Sequence, residues 1–552
     1  MGLHLDRGFS LILYLAGSAV ISIRKKEIYR QKVKERSGTM AFCTILSAAL
    51  QGLAVEPVQV EADVSNGLPI FHMVGYLSSE VKEAAARVRT ALRNSGTQLP
   101  PKRIVVNLAP ATLRKRGASF DLPIALAVMG ALDLYDPAKL TGTLVIGELS
   151  LDGRVREVPG ILPIVLEARR MGCHTCILPK GNAAEGRLAE GIRILGVETL
   201  AEAGNYLRGE CRIPPEEKRE LLPSRDLQEG LDYRDVRGQE HIRRAAEVAV
   251  AGGHNLLLIG PPGSGKTMIA RRLPTILPPP DLEESMEITK IYSVLGLVDK
   301  ERPLITGRPF RSVHHTVTRS ALAGGGAVPM PGEVSLAHGG VLFLDELAEF
   351  PRNVLEALRQ PLEDHRIRIT RSQGNYVFPA DFILAAAMNP CPCGNYPDLE
   401  KCTCTPAQIR QYLGRVSQPL LDRIDLCAET VRLSYEALRD KGPGESSGKI
   451  RERVCAAREI QKRRYQGSSH RTNAGLTAGE LERYCALGPS EEKLLEEAFR
   501  RLDLTARTCH KILRVARTIA DLEGEERIRA PHLMEAIGYR TAGYKYRGGE
   551  VR

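Results

Sequence analysis

The sequence predicts a multidomain α/β protein that ends in a helical region. At 552 residues the chain is too long for one hydrophobic core, and its length favours three or four domains. Runs of β-branched residues alternate with helix-spaced apolar residues over 40–208 and again over 235–433, which predicts two successive α/β domains. Over 434–552 the apolar residues keep helical spacing, which predicts an α-helical lid.

The same patterns predict individual elements. In the first domain we expect a helix over 79–94 and strands over 55–64, 103–108, 144–146 and 175–178. In the second domain we expect strands over 255–259, 341–344 and 382–387. In the lid we expect helices over 450–465, 490–502 and 506–522. Residues 209–234 are rich in Pro, Glu, Lys and Arg and lack periodicity, so they predict a linker.

Residues 1–39 contain the longest apolar run of the chain. That run, 9–23, is shorter than the roughly 20 residues that cross a bilayer. Arg7 is the only positive residue ahead of it, so a secretory signal fits poorly and we expect no stable membrane association. A translation start at Met40 would remove the run, and we favour that interpretation. An N-terminal anchor or partner helix is the alternative.

The composition indicates the cellular environment and the charge of possible partners, but not which reaction the protein catalyses. The 77 Lys and Arg exceed the 66 Asp and Glu and give a net charge of +11, which suits a polyanionic partner but is also common in proteins without one. Twelve cysteines in so long a chain do not form a disulfide scaffold, so we expect a reducing cytoplasm. Cys173 and Cys176 lie on a predicted apolar strand edge, and we expect them to pack in the core.

A glycine-rich motif follows the predicted strand at 255–259. Its residues are Gly260, Pro261, Pro262, Gly263, Ser264, Gly265, Lys266 and Thr267. The glycines let backbone N–H groups face phosphates, Lys266 can reach the β- and γ-phosphates, and the Thr267 hydroxyl can bind Mg²⁺. A strand precedes the motif and a helix follows it. It therefore predicts an ATP site of the Walker A type rather than a chance glycine-rich loop.

Two carboxylates end the predicted buried strand at 341–344. After such a strand, the first carboxylate, Asp345, can hold Mg²⁺, and the second, Glu346, can polarise the attacking water. Acidic turns after buried strands are common on their own. Together with the glycine-rich motif, this pair predicts hydrolysis of ATP and not binding alone.

Three further residues resemble functional positions of ring ATPases. Asn389 follows the predicted strand at 382–387 and resembles sensor 1, which helps to orient the lytic water. Arg423 resembles the arginine finger that enters the neighbouring subunit's site; an ordinary surface ion pair is the alternative. Arg507 resembles sensor 2, which contacts the γ-phosphate; a solvated basic helix face is its alternative.

The residues between these motifs carry a more specific resemblance. The segments 311–316, 324–326 and 331–346 look like the magnesium-chelatase-type branch of AAA+ proteins, and the chain from about 40 to 546 resembles the ComM/YifB family. This resemblance implies a Lon-protease-like α+β domain, a central P-loop AAA+ parallel αβα sheet and a C-terminal α-helical lid. It further implies a homo-hexameric ring that uses ATP and Mg²⁺ and acts on single-stranded or branched DNA. Members resemble branch-migration helicases of recombination and natural transformation; a chelatase-like protein-remodelling ATPase is the alternative.

The resemblance to Lon-type peptidases is broken at one position. Ser119 lies in a segment that resembles the loop of the nucleophilic serine, and 147–155 resembles the strand before the catalytic lysine. In that register Leu162 stands where the lysine belongs, and a leucine cannot accept a proton. We therefore expect no peptidase activity, a turn or cap role for Ser119, and a binding or assembly role for the domain.

Four cysteines form two closely spaced pairs. Cys391 and Cys393 precede Cys402 and Cys404 in a loop rich in Pro and Gly, and four thiolates could close a tetrahedral Zn²⁺ site. The spacing within each pair departs from the usual CxxC pattern. Free thiols in a family-specific loop are therefore the alternative.

Alternating cations indicate a nucleic-acid contact. Arg366, Arg368 and Arg371 alternate with apolar residues before a turn around Gly374, which predicts a hairpin with cations on one face. In a ring such hairpins could follow DNA phosphates, whereas a solvated edge hairpin would have the same pattern. The segment 308–319 is a second candidate for DNA contact.

Overall fold

The computed structural model describes residues 42–217, 230–371, 374–432, 444–468 and 470–544. These residues form two compact units. The first contains the described residues up to 217 except 50–55 and 159–163, and the second contains those two short segments and the described residues from 230 onward. The apolar run at 9–23, the start at Met40 and residues 218–229 of the predicted linker lie outside the described residues.

The first unit is built on a seven-stranded mixed sheet in the order β3-β4-β2-β1-β5-β8-β9. In chain order the strands are β1 (Phe42–Gln51), β2 (Ala54–Ser65), β3 (Phe71–Val74), β4 (Arg103–Ala109), β5 (Thr143–Val145), β6 (Glu148–Leu149), β7 (Val155–Arg156), β8 (Thr175–Pro179) and β9 (Arg193–Val197). Strands β6 and β7 form a separate two-stranded sheet. The α-helices of this part of the chain are Ser79–Lys82, Ala84–Asn94, Asp121–Ala131, Ile161–Arg170, Ala183–Gly186 and Leu200–Arg208. The four predicted strands are present, and the predicted helix at 79–94 is divided at Glu83.

Alternation along β2 shows how this unit forms its core. Val58, Val60, Ala62 and Val64 are all buried on one face of the strand, while their neighbours are more exposed. The helix Asp121–Ala131 is buried over its whole length, and its one acid is paired with a cation. A buried carboxylate needs such a partner because desolvation penalises the charged form. The two cysteines at 173 and 176 are buried, as predicted.

The second unit contains a five-stranded sheet, parallel throughout, in the order β11-β12-β15-β10-β16. Its strands, together with those of the antiparallel hairpin β13/β14, are β10 (Leu256–Ile259), β11 (Phe310–Val313), β12 (Val341–Leu344), β13 (Arg366–Arg371), β14 (Gly374–Pro379), β15 (Ile383–Met388) and β16 (Leu426–Glu429). Strands β10, β12 and β15 are buried throughout, as expected of parallel strands covered on both faces. The predicted α/β fold with a parallel sheet is confirmed.

Helices surround this sheet and continue beyond it. Those before residue 432 are Glu240–Gly252, Lys266–Ile276, Leu282–Val294, Arg319–Ala323, Glu333–Leu336, Arg352–Leu355, Pro361–Asp364, Pro406–Leu413 and Gln418–Leu421. Those after residue 444 are Ser447–Arg464, Ala478–Tyr484, Pro489–Arg501, Ala506–Leu522 and Ala530–Tyr544. The three helices predicted for the lid are among them. Within the described ranges, every helix is too short or too polar to cross a lipid bilayer.

Candidate functional site

The glycine-rich loop lies between the end of β10 and the start of the helix Lys266–Ile276. Gly263 and Gly265 have φ angles of +75° and +84°, in the left-handed region where a residue with a side chain would be strained. The turn therefore needs glycine at both positions. Because the helix begins immediately after it, the loop lies at the positive end of a helix dipole, which is an anion-binding arrangement.

The Lys266 ammonium lies at the centre of this loop. It donates to the carbonyl oxygens of Gly260 at 2.7 Å and Pro261 at 2.9 Å, and to Asn389 Oδ1 at 3.2 Å. Burial lowers the pKa of Lys266, and the charges of Asp345 and Glu346 partly oppose this effect. A triphosphate would give the buried ammonium the full counter-charge that these neutral oxygens lack. Asn389 thus joins the loop, at the place where sensor 1 was predicted.

Two hard oxygen ligands meet beside the loop. Thr267 Oγ1 donates to Asp345 Oδ2 at 2.8 Å, and Asp345 Oδ1 accepts the Glu346 backbone N–H at 3.0 Å. Hydroxyl and carboxylate oxygens suit Mg²⁺, which prefers one or two protein ligands together with phosphate and water. The residues present therefore fit the Mg·ATP that the motifs predict.

Glu346 has a partner that the sequence analysis did not assign. Glu346 is exposed, has a φ of +54°, and its Oε2 lies 3.2 Å from His315 Nδ1, although these atoms are not aligned for a hydrogen bond. The His315 ring is held between His314, at 4.0 Å between centroids, and Phe350, at 6.4 Å. The contact arises because β11 and β12 are parallel neighbours. His315 and Glu346 each lie two residues beyond the paired ends of these strands.

Arg423 lies at the opposite edge of the sheet from Lys266. Its backbone oxygen accepts a hydrogen bond from Asn255 Nδ2 at 3.0 Å, and Asn255 precedes β10, whereas the glycine-rich loop follows β10. Five residues of strand correspond to roughly 16 Å, more than an arginine side chain spans. The guanidinium donates to Glu363, and its buried Nε has no hydrogen-bond partner within the described part of the chain.

Arg507 lies with Arg423 and not with Lys266. It is the second residue of the helix Ala506–Leu522, which Thr505 caps, and its guanidinium lies 3.4 Å from the same oxygen of Glu363. The two arginines predicted from ring ATPases are therefore brought together by one carboxylate. Glu363 itself was not predicted to take part.

A buried polar cluster holds the loop that carries Arg423. Lys511 pairs with Asp425 at 2.8 Å and also donates to the Ile424 carbonyl, which accepts a second bond from Arg540 at 2.7 Å. Although burial of Asp425 favours its neutral form, Lys511 and His254 hold the pKa of Asp425 below its usual range. Two lid residues thus bind the same backbone carbonyl, directly after the candidate finger.

The four predicted cysteines converge. Their sulfur atoms all lie within 4.8 Å of one another, and Cys391 Sγ is 3.4 Å from Cys393 Sγ and 3.8 Å from Cys402 Sγ. These separations are far longer than a disulfide bond, and all four thiols are free. Among the described residues this is the group of Cys, His and acidic side chains that could hold a metal ion.

The predicted hairpin is confirmed, with one difference. Arg366 and Arg368 are exposed on one face of β13, while Ile367 is buried opposite Phe378 on the other. By alternation Arg371 falls on the second face, where its guanidinium lies beside Gly325. The cations therefore do not share one face, because Arg371 is an odd number of residues from the other two.

The second candidate segment for DNA contact is largely engaged within the chain. Arg308 is bound to Glu284 at 2.7 Å and to the Gly339 carbonyl at 2.9 Å. Arg311 forms a two-bond pair with Glu333 at 2.6 and 2.9 Å. These two cations hold structural elements together, whereas Arg319 is exposed at the start of a short helix.

Ser119 precedes the buried helix Asp121–Ala131, whose N-cap residue is Phe120, so the serine occupies a turn and not the cap. The Ser119 carbonyl accepts the Gly147 backbone N–H at 2.9 Å. The lysine nearest to it in sequence, Lys115, is buried and donates to the Pro110 carbonyl. Leu162, at the predicted lysine position, is a fully buried residue of the helix Ile161–Arg170.

A parallel sheet with a glycine-rich loop, an acidic pair and an amide at the carboxyl ends of its strands is typical of P-loop ATPases, and the family models identify the chain as a magnesium-chelatase-like protein of the AAA+ class. Family models agree along most of the chain. "Magnesium chelatase, subunit ChlI" matches residues 232–438, "Subunit ChlI of Mg-chelatase" matches 60–182, and "Magnesium chelatase, subunit ChlI C-terminal" matches 444–540. The chain belongs to the ComM/YifB family, as its relatives show.

Two of these relatives align over nearly their whole length. Competence protein ComM of Haemophilus influenzae is 44% identical over 507 residues, which cover 91% of this chain and 98% of that protein. The protein YifB of Escherichia coli is 42% identical over 504 residues, which cover 91% of this chain and 97% of that protein. Lon protease 2 of Bacillus subtilis is 32% identical over 149 residues, covering only 24% and 26%. The likeness to Lon is therefore partial.

The contact between His315 and Glu346 generates a prediction. Replacement of His315 by Ala frees the Glu346 carboxylate from its position, so we expect the kcat for ATP hydrolysis to fall about 10- to 100-fold while KM changes by less than about twofold. A coupled phosphate-release assay measures both constants. His315→Asn, which retains a polar partner, should recover part of the loss, and the exposed His72→Ala should have no effect. An unchanged kcat in His315→Ala would remove His315 from the site.

Proposed function

We propose that this chain is an ATP-hydrolysing motor that assembles into a homo-hexameric ring and moves along single-stranded or branched DNA. The observation that carries the proposal is the separation of Lys266 and Arg423 at opposite edges of one sheet, since each nucleotide site then needs a second copy of the chain. Its cofactors are ATP and Mg²⁺, with structural Zn²⁺ at the cysteine quartet. The name of the relative Competence protein ComM supports a role in natural competence. Recombination through branch migration is the further part of the proposal, which the family resemblance implies.

Each residue at the carboxyl edge of the sheet has a proposed part in hydrolysis. Lys266 and the backbone of the glycine-rich loop bind the β- and γ-phosphates, and Thr267 and Asp345 hold Mg²⁺, which neutralises developing phosphate charge when bound. Glu346 accepts the proton of the attacking water, and Asn389 orients that water. His315 positions the Glu346 carboxylate.

The proposed arginine finger acts between subunits. In the single chain Arg423 is neutralised by Glu363, which also contacts Arg507. When the neighbour's triphosphate is nearby, its higher charge competes with Glu363 for both guanidinium groups. Arg423 then stabilises the transition state, and Arg507 reports on the γ-phosphate of that neighbouring site instead of its own.

The hairpin β13/β14 is the proposed DNA contact. Its outward cations, Arg366 and Arg368, follow Glu363 closely in sequence, so the element that holds the finger also leads into the hairpin. Exposed arginines suit the phosphate backbone, whose affinity is sequence-independent and sensitive to salt. Such contacts suit a motor that must move along any sequence.

A protein-remodelling motor that does not act on DNA is the second candidate. It is favoured by the matches to magnesium chelatase subunit models over three separate segments of the chain. The two candidates share the nucleotide site and differ in what the hairpin contacts. Hydrolysis that does not respond to DNA would favour this second function.

A mixing experiment tests whether Arg423 acts between subunits. Glu346→Gln and Arg423→Ala should each lower kcat by about 10³-fold or more when assayed alone. The two variants are then mixed before assembly. Some interfaces now contain the intact Glu346 of the Arg423→Ala chain and the intact Arg423 of the Glu346→Gln chain, and the ATP site at such an interface is complete. Phosphate release should then recover to about a quarter of the unaltered rate for random assembly.

The matched control mixes Glu346→Gln with Lys266→Ala. Both substitutions damage the same edge of the sheet, so no interface is complete and activity should stay absent. Failure of the first mixture to regain activity, with mixed rings verified by differently tagged chains, would contradict a finger that acts in trans.

Two exposed arginines test the DNA contact. In the double variant Arg366→Ala and Arg368→Ala we expect basal hydrolysis to stay within about twofold, because neither residue contacts the nucleotide site, while stimulation by branched DNA is lost. The slope of log binding constant against log salt should decrease by about 2, close to 0.9 per lost cation. Fluorescence anisotropy at several salt concentrations measures this slope.

The control removes equal charge elsewhere. Arg500→Ala with Arg501→Ala deletes two guanidinium groups that are each 76% exposed on the helix Pro489–Arg501. This variant should keep both DNA stimulation and the salt slope. If the unaltered chain hydrolyses ATP at the same rate with and without branched DNA, the DNA motor is the wrong proposal.

We also propose that the first unit lacks peptidase activity and serves in binding or assembly. Leu162 offers no base to Ser119, so casein should remain intact during prolonged incubation with ATP, as followed by gel electrophoresis. Ser119→Ala should behave like the unaltered chain. Casein cleavage that disappears in Ser119→Ala would overturn this assignment.

A further inference from the structure

The cysteine quartet is built into the nucleotide site and is not an isolated surface loop. Cys391 lies two residues after Asn389, the residue whose side chain meets the Lys266 ammonium. Cys404 lies two residues before Pro406, where the helix Pro406–Leu413 begins. The loop that carries the four thiols therefore connects Asn389 directly to this helix.

The geometry of the four sulfur atoms suits zinc. A tetrahedral site with Zn–S bonds of about 2.3 Å separates its sulfurs by roughly 3.8 Å, and the separations here include 3.6 Å between Cys393 and Cys402. Backbone N–H groups of Asn395 and Thr403 hydrogen-bond to Cys393, and that of Tyr396 to Cys391 at 3.4 Å. Amide donors of this kind support metal-bound thiolates.

Two contacts connect the quartet loop to the residues that hold ATP. Tyr412, in the helix that follows the quartet, hydrogen-bonds through its hydroxyl with the Asn389 backbone. Gly394, within the quartet, has a φ of +79°, and a Cβ atom built there would lie 2.4 Å from Cδ of Pro262. The loop thus packs directly on the glycine-rich motif and returns to Asn389 at its other end.

We propose that zinc bound by Cys391, Cys393, Cys402 and Cys404 is a structural support of the ATP site, which sets the position of Asn389 and braces the glycine-rich loop at Pro262. The proposal rests on the proposed ATP site but not on action on DNA. Loss of zinc frees both ends of the loop, so ATP binding weakens without any change to Lys266, Thr267 or Asp345. Thiol oxidation or chelation then lowers the affinity for ATP.

The first test measures metal content and nucleotide affinity separately. Elemental analysis of the unaltered chain should find about one zinc per chain, and the double variant Cys402→Ser with Cys404→Ser should lose at least about 90% of it. The affinity for a fluorescent ATP analogue, measured without DNA, should fall about tenfold in the same variant. Cys455→Ser, on the helix Ser447–Arg464, should retain both properties.

A second variant tests the contact with the glycine-rich loop separately from metal binding. Its result does not depend on whether the cysteine variant folds. Gly394→Ala keeps all four thiols but must displace Pro262 or strain its own backbone, so zinc should stay bound while affinity for the ATP analogue falls about tenfold. Gly524→Ala is the matched control, because Gly524 has a similar φ of +72° with nothing within 4 Å of its added Cβ. It should bind both zinc and nucleotide normally.

Two results would overturn separate parts of the proposal, the metal site and its support of the ATP site. An unaltered chain that contains no zinc, and takes up none when zinc is added to the reduced protein, would overturn the metal site. Normal nucleotide affinity in Gly394→Ala and after zinc removal by a chelator would overturn the support role. Both readouts are independent of DNA, so a failure to respond to DNA would reject the DNA motor and leave this proposal standing.

Discussion

The parallel direction of the five-stranded sheet determines at which end of the strands the candidate nucleotide residues and Arg423 lie. Because β10, β12 and β15 run the same way, their carboxyl ends bring together residues that are far apart in the chain: Lys266, Asp345 and Asn389. The segment before β16 must then lie at the opposite edge, and it carries Arg423. Lys266 and Arg423 of one chain therefore lie at opposite ends of the strands, and this separation is the reason why the proposed site takes its arginine from a second copy.

Asn255 joins β15 to the loop that carries Arg423, at the amino-terminal ends of the strands. Its side chain accepts the Leu384 backbone N–H at 2.9 Å and donates to the Arg423 carbonyl, while its own N–H is bound to Asp425 at 3.0 Å. One residue thus contacts the strand that ends at Asn389 and the loop of the finger. The buried pair of Asp425 and Lys511 extends the connection to the lid, and removing either partner would leave an uncompensated buried charge.

Sequence patterns predicted the local elements and missed the distant contacts. The strand Val341–Leu344 was predicted with its observed ends because a strand buried on both faces is a continuous apolar run. The helix Ala506–Leu522 was also predicted with its observed ends, because its apolar residues have helical spacing and Thr505 caps its first turn. Glu363 carries no comparable signal, because its contacts to Arg423 and Arg507 span 60 and 144 residues. The partnership of His315 with Glu346 required the strand order, which periodicity does not supply.

Helices of the lid contact the loop that carries Arg423, the candidate finger. Lys511 and Arg540 come from two lid helices and bind the same carbonyl beside Arg423, so a rotation of those helices moves the finger loop. Arg507 lies one helical turn before Lys511 and contacts the finger's own counter-ion, Glu363. In the proposed ring, a neighbour's phosphates would compete with Glu363 for Arg507, which shares its helix with Lys511. The proposed ring would thereby couple the nucleotide of one subunit to the lid of the next.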